Sequence, residues 1–207
     1  MQMKLLEMKK VGKTLNGREI LKDINYQFHD GEICGLRGRN GSGKTMTLRT
    51  LAGLLKPTEG EVLYQGKDIY STDGVDLNIG LVIDGAGLYP ELTGRMNLQR
   101  LAAIRKQISI AEIDMAIQKV GLDPEDKRTY AKYSLGMRQR ILIAQAIMEK
   151  PEILLLDEPT NGLDEQGVSM VRDIVMKEAE RGAVVVIASH NKEDINLLCN
   201  RVYELEG

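Results

Sequence analysis

Cysteine is scarce in this 207-residue sequence: only Cys34 and Cys199 occur, with no C-x-x-C pair and no run of closely spaced histidines. Neither a disulfide framework nor a zinc site is therefore expected, and a reducing compartment suits the chain. Long apolar runs are missing too. A bilayer-crossing helix needs roughly 20 apolar residues, and runs such as "AVVVIA" at 183–188 fall far short of that, so no span is expected. The segment "MQMKLLEMKK" breaks its hydrophobicity at Lys4 and Glu7 and lacks the apolar centre of a secretory signal, which predicts a protein that stays inside the cell. Basic charge is not in excess. The formal net charge is −2, without the clustered positive footprint that nucleic-acid binding calls for. Internal repeats and low-complexity tracts are also lacking.

What remains is an ordinary globular composition, 28% charged and 43% hydrophobic, in a chain long enough for one large α/β unit. Ten methionines are scattered, several at helical core spacing, and are read as packing residues.

Alternating apolar positions in "REILKDINYQF" follow Asn16-Gly17, a pair that tolerates positive φ and favours a primed hairpin turn, so an N-terminal antiparallel ribbon is expected. "EICGLR" reads as a buried strand, the glycine-rich segment after it as a turn, and "KTMTLRTLAGLL" as a helix ending before Lys56-Pro57. Between about 93 and 149 three stretches carry apolar residues at three- and four-residue intervals. In the last, Ser134 is a plausible N-cap, and Met137, Ile141, Ala144 and Ile147 or Met148 share one face. After Pro151 come the strand "EILLLD", a helix from about Asp164 to Arg181, the strand "AVVVIASH", a short helix and "RVYELE". Continuous apolar strands flanked by helices predict a mostly parallel sheet covered on both faces. The expected organisation is one domain over 1–207, with a helical subdomain inserted at about 85–150.

Gly38-Arg39-Asn40-Gly41-Ser42-Gly43-Lys44-Thr45 fits G-x-x-x-x-G-K-[ST] between a strand and a helix. Glycines there let backbone N–H groups converge on phosphate oxygens, and the helix N-terminus adds partial positive charge. Lys44 is expected to reach the β- and γ-phosphates, and the Thr45 hydroxyl to ligate Mg²⁺. The motif does not identify the base.

Two sets of letters compete for the rest. Asp84-Gly85-Ala86-Gly87 spells D-x-x-G and Asn191-Lys192-Glu193-Asp194 spells N-K-x-D, the switch and guanine motifs of a GTPase. As a GTPase, however, the chain would have no use for "YSLGMRQR" or "LLLDEPTNGLD". Ile153 to Leu156 deliver Asp157 and Glu158 at a strand end, where one acid can serve the metal's water shell and the next can face an attacking water.

With these pieces in place the sequence resembles the ATP-binding cassette (ABC) ATPases along essentially its whole length, and most closely the bacitracin- and lantibiotic-type transporters. Gly38 to Thr45 match the Walker A loop, Ile153 to Asp157 match Walker B, and Glu158 matches the catalytic glutamate. Asn161-Gly162-Leu163-Asp164 looks like the D-loop, His190 like the switch histidine, and Tyr133 to Met137 like the signature. "IGLVIDGAGLYPELTG" looks like the Q-loop segment, with Asp84 where glutamine is usual, so D-x-x-G becomes incidental and "NKED" simply starts a helix.

The resemblance implies a P-loop NTPase α/β core and hydrolysis of ATP, with Glu158, His190, Lys44 and Asp84 as catalytic residues. It implies nucleotide contacts from Gly38, Asn40, Gly41, Ser42, Gly43, Lys44, Thr45, Thr47 and Leu15, with Ser134 and Gly136 serving the nucleotide of a second cassette. Mg²⁺ would be held by Thr45, Asp157 and Asp84. Separate transmembrane permease subunits, a homodimer of cassettes and a peripheral place at the inner face of the cell membrane follow from the same likeness. So does a cargo such as a peptide antibiotic or similar amphiphile. A soluble ABC ATPase that scaffolds a non-transport complex is the alternative. Two departures stand out: Leu15 occupies the place where an aromatic often stacks on adenine, and Leu135 replaces the first signature glycine.

Overall fold

The computed structural model describes residues 5–72, 75–83 and 87–205. The hairpin forms as its turn chemistry requires: Asn16 and Gly17 both take positive φ, 50° and 77°, joining β1 (Leu5–Leu15) to β2 (Arg18–His29). Further along, β4 (Glu59–Tyr64) pairs with β1, and the two-residue β5 (Lys67–Asp68) completes an antiparallel sheet of order β2-β1-β4-β5. The sequence pattern marks only the first two of these strands.

The second sheet is parallel throughout, in the order β6 (Ile79–Val82), β7 (Ile153–Asp157), β8 (Val184–Ala188), β3 (Ile33–Arg37) and β9 (Arg201–Glu204). Its apolar runs serve both faces by the two-residue alternation of a strand. Leu154, Leu156, Val185 and Ile187 face one core, which is packed with helices. Ile153, Leu155, Val184, Val186 and Ala188 face the other, shared with Leu6, Met8, Phe28 and Val62 of the antiparallel sheet. The four apolar residues of β7 are wholly buried, each worth roughly 1.5–3 kcal/mol of transfer free energy.

Helix α1 (Lys44–Leu51) stops earlier than its apolar pattern suggests. Gly53 takes φ +75°, its N–H donates to the Thr50 carbonyl, and the Leu54 N–H reaches back to Arg49 at 2.9 Å. That pair of bonds is a Schellman stop, which leaves Leu54 62% exposed instead of continuing the helix.

Helices α2 (Gly94–Arg105), α3 (Ile110–Lys119) and α4 (Leu135–Ile147) form the central block, each opened by a side-chain cap from Thr93, Ser109 or Ser134. In α4, Ile141, Ala144, Ile147 and Met148 are buried as their spacing predicts. Ile143 and Ala146 are buried too, because the helix also packs against the β6 edge. Helix α5 (Glu165–Glu180) and α6 (Lys192–Leu198) follow, capped by Asp164 and Asn191. Met8 and Met148 are buried, and Met46, Met137 and Met170 pack against the cores. Met96, Met115 and Met176 lie exposed, so the packing role holds for only part of the set.

Candidate active site

The loop between β3 and α1 has the shape an anion requires. Gly43 sits at φ 97° as the N-cap of α1, and a Cβ there would meet Leu21 Cδ2 at 2.9 Å and the Ile20 carbonyl at 3.1 Å. No side chain caps this helix end among the described residues. Gly41, at φ +83°, has nothing within 4 Å of where a Cβ would stand, so the backbone is bare toward the cleft. Ser42 Oγ is buried with no hydrogen-bond partner among the described residues. An orphaned hydroxyl, an uncapped helix N-terminus and an open backbone together fit a phosphate chain. Lys44 Nζ rests on the carbonyls of Gly38 and Arg39, at 2.8 and 3.1 Å.

Strand β7 brings Asp157 to this loop, and the Thr45 hydroxyl donates to Asp157 Oδ2 at 2.5 Å. Asp157 is 7% exposed, so a carboxylate and a hydroxyl meet in a site largely screened from solvent at the helix N-terminus. The next residue turns sharply. Glu158 adopts φ 47°, a left-handed conformation unusual for a residue with a side chain. Its N–H donates to the Ala188 carbonyl at 2.8 Å, at the end of β8. Its carboxylate accepts from Ser189 Oγ at 3.1 Å and from the His190 N–H at 3.0 Å, and lies 2.8 Å from His190 Nδ1.

A cleft of about 820 Å³ opens over these groups. Asn40, Gly41, Gly43, Lys44, Thr45, Asp157 and Glu158 line one side of it, and Tyr130, Leu135, Arg138, Gln139 and Leu142 of the helical block line the other. The cleft thus gathers most of the loop and the acidic pair, and His190 joins them through Glu158 without lining it. Ser134 and Gly136 are not among the lining residues. Ser134 accepts the Met137 N–H as N-cap of α4, and a Cβ on Gly136 would come 3.1 Å from the Gly162 carbonyl.

Of the other expected nucleotide contacts, Gly38, Ser42, Leu15 and Thr47 do not line the cleft. Leu15 lies at the hairpin end and does not line the cleft, whereas Arg18, its cross-strand partner, and Ile20 do. Thr47 is wholly buried and donates its hydroxyl to the Gly43 carbonyl at 3.0 Å, so it braces the first turn of α1. Asp84 lies outside the described residues. The segment beyond it is tied to the approach to α4: the Tyr130 N–H donates to Leu92 and the Ala131 N–H to Pro90, while buried Asn97 bonds both the N–H and the carbonyl of Tyr89.

Gln139 also belongs to the site, without a sequence motif to mark it. Its Nε2 donates to the carbonyls of Glu158 and Pro159, at 3.2 and 3.0 Å, holding the acidic turn from the helical side. Nothing local marks such a contact, since residues 139 and 158 meet only through the packing of α4. The N-K-x-D letters also find their place. Asn191 caps α6, and Asp194 is 1% exposed and bonded to Thr160 and Arg172, leaving nothing to offer a guanine base.

Comparison with known proteins agrees with this geometry. The family profile described as ABC transporter matches residues 21–161. YybJ of Bacillus subtilis (strain 168), an uncharacterized ABC transporter ATP-binding protein, is 44% identical over 97% of this chain and 92% of its own length. The bacitracin transport ATP-binding protein BcrA of Enterococcus faecalis is 37% identical over 95% of this chain, which spans 64% of BcrA. Among solved structures, the dimeric bacterial ABC transporter cassette MJ0796 superposes with a TM-score of 0.86 at 27% identity, covering 97% of this chain and 94% of that one. The same cassette in a post-hydrolysis state bound to ADP and Pi also gives 0.86. On this footing the chain belongs to the ABC transporter family, as an ATP-binding cassette that hydrolyses ATP.

Proposed function

We propose that the chain works as one of a pair of identical cassettes, seated on separate transmembrane subunits at the inner face of the cell membrane, and powers movement of a peptide antibiotic or a similar amphiphile. Support for the cargo class comes from the likeness to BcrA, a bacitracin transport ATP-binding protein. No helix among the described residues is long and apolar enough to cross a membrane, which agrees with a partner that supplies the span.

Within the cleft, the backbone N–H groups of Gly41 and Gly43 and the Lys44 ammonium hold the phosphates, with Asn40 and Ser42 completing the loop. The observation that carries this reading is the Thr45–Asp157 contact beside the N-terminus of α1. Thr45 and Asp157 would hold Mg²⁺ there, with Asp84 as a third oxygen donor, and the ion would neutralise charge on the transferring phosphoryl group. Among the described residues no three His, Cys, Asp or Glu side chains gather to hold a metal alone. Glu158 orients the attacking water and accepts its proton, an effect worth about 10²–10⁴ in rate. His190, hydrogen-bonded to Glu158, faces the γ-phosphate. Ser134 and Gly136, at the N-terminus of α4, close the partner's site and exclude water.

Purification from detergent-solubilised membranes tests the proposal. Recovery of the chain with a multi-span protein, and ATPase activity stimulated by that protein, is the expected result. Recovery only in a soluble assembly with no multi-span component contradicts it and points to the scaffolding alternative.

A further inference from the structure

Asp194 touches neither the cleft nor solvent, yet it is more deeply buried than any other acidic residue among the described residues. A buried carboxylate is costly unless it is paired and hydrogen-bonded. Here it is both. Arg172 of α5 donates Nε and Nη2 to Asp194 Oδ1 at 2.9 and 2.6 Å, and Thr160 Oγ1 donates to Oδ2. Arg172 also reaches Glu193 at 3.3 Å.

The two ends of this tie lie on the two segments that form the hydrolytic pair. Thr160 is two residues beyond Glu158, and Asp194 is four beyond His190. The segments meet again on the cleft side, where Ser189 Oγ donates to Glu158 and accepts the Asn191 N–H. The Asn161 N–H donates to the Glu158 carbonyl, and the Ile195 N–H to the Asn191 carbonyl. The result is a closed ring that runs from Glu158 through Ser189, Asn191, the first turn of α6, Asp194 and Thr160 back to Glu158. Such a ring has something to hold. Glu158 sits at φ 47°, a conformation that persists only where its surroundings over-determine it. The His190 side chain is 65% exposed, so packing alone does not fix it.

We propose that Asp194 is a positioning residue for ATP hydrolysis: through Thr160, with Arg172 as its counter-ion, it locks the His190 segment against the Glu158 turn without touching the nucleotide. The inference rests on Glu158 being the base that orients water.

Asp194→Ala would strip the Arg172 cation of its closest partner, leaving only Glu193 at 3.3 Å, and risks misfolding, so the primary variant is Thr160→Val. It keeps the shape, removes one donor and leaves the Asp194–Arg172 pair in place. Steady-state ATPase measurements should show kcat falling about tenfold or more with KM for ATP unchanged, and Thr160→Ser should restore kcat. In a Glu158→Gln background the residual rate should be the same with or without Thr160→Val, because a residue acting through Glu158 has nothing left to act on. Wild-type kcat in Thr160→Val, equal loss of kcat and ATP affinity, or an undiminished effect of Thr160→Val in the Glu158→Gln background would each overturn the inference. Were Glu158→Gln itself to keep the full rate, the assignment of the base would fail and this inference with it. A slow Glu158→Gln beside a fully active Thr160→Val would sink the inference alone.

Discussion

His190 Nδ1 lies 2.8 Å from Glu158 Oε1, and the His190 backbone N–H meets the same oxygen at 3.0 Å. With Ser189 Oγ on the other oxygen, the carboxylate is held at both ends in one orientation. The imidazole contact is the exposed one and the most readily removed. His190→Ala should therefore lower kcat about tenfold to a hundredfold, since proton transfer depends on placement. Nucleotide affinity should hold to within about twofold, because the phosphate loop is untouched. Steady-state rates together with ATP titration check this; a variant that loses affinity as much as rate would show that His190 mainly binds.

The junction between the helical block and the sheet is as tight as backbone packing allows. A Cβ placed on Gly80 of β6 would stand 2.0 Å from the Ala146 carbonyl oxygen, a backbone atom that cannot swing aside. Gly80→Ala should push α4 off β6 and destabilise the fold by about 1–3 kcal/mol or more. Urea denaturation measures it: a lower midpoint with an unchanged slope is expected. A midpoint equal to that of the parent would mean that α4 is not seated there.

Burial pushes the Cys34 thiol up to about 12, helped by the negative charge of Glu32, and burial likewise raises Cys199 to about 12, with Cys34 and Asp194 adding to the effect. Both thiols should stay protonated at pH 8 and resist iodoacetamide until the chain unfolds, when the ordinary value near 8.5 returns. A folded value above the unfolded one gives a contribution that is complete below about pH 8.5 and is lost as pH rises toward 12. Mass spectrometry of native and denatured protein checks the first point, and rapid labelling of the native chain at pH 8 would contradict it.

Much of this site could be read in the sequence because its parts are local. The phosphate loop is one continuous segment between a strand and a helix, Asp157 and Glu158 end an unbroken apolar strand, and Ser134, Asp164 and Asn191 are helix caps whose chemistry is set within three residues. What was hidden depends on tertiary contact. Gln139 reaches Glu158 across nineteen positions. Asp194 carried the letters of a guanine motif, and only its burial against Arg172 and Thr160 shows what it does. Leu15 is assigned to the base by resemblance to the family, whereas the hairpin residues that line the cleft, Arg18 and Ile20, follow from how the ribbon packs. The stop of α1 turns on Gly53, a residue that a pattern of apolar spacing passes over.

In the mechanism proposed above, Glu158 drives hydrolysis in a cleft completed by the α4 N-terminus of a second cassette. Glu158→Gln keeps the size and hydrogen-bonding shape of the side chain and removes the basic carboxylate, so ATP should bind, stay unhydrolysed and hold two copies together. Sedimentation of this variant with ATP and Mg²⁺ is the direct measurement. A stable pair is expected, one that dissolves when Ser134, exposed at the head of α4, is also replaced by a bulky charged residue. A Glu158→Gln protein that binds ATP yet stays monomeric, both alone and with its membrane partner, would contradict it.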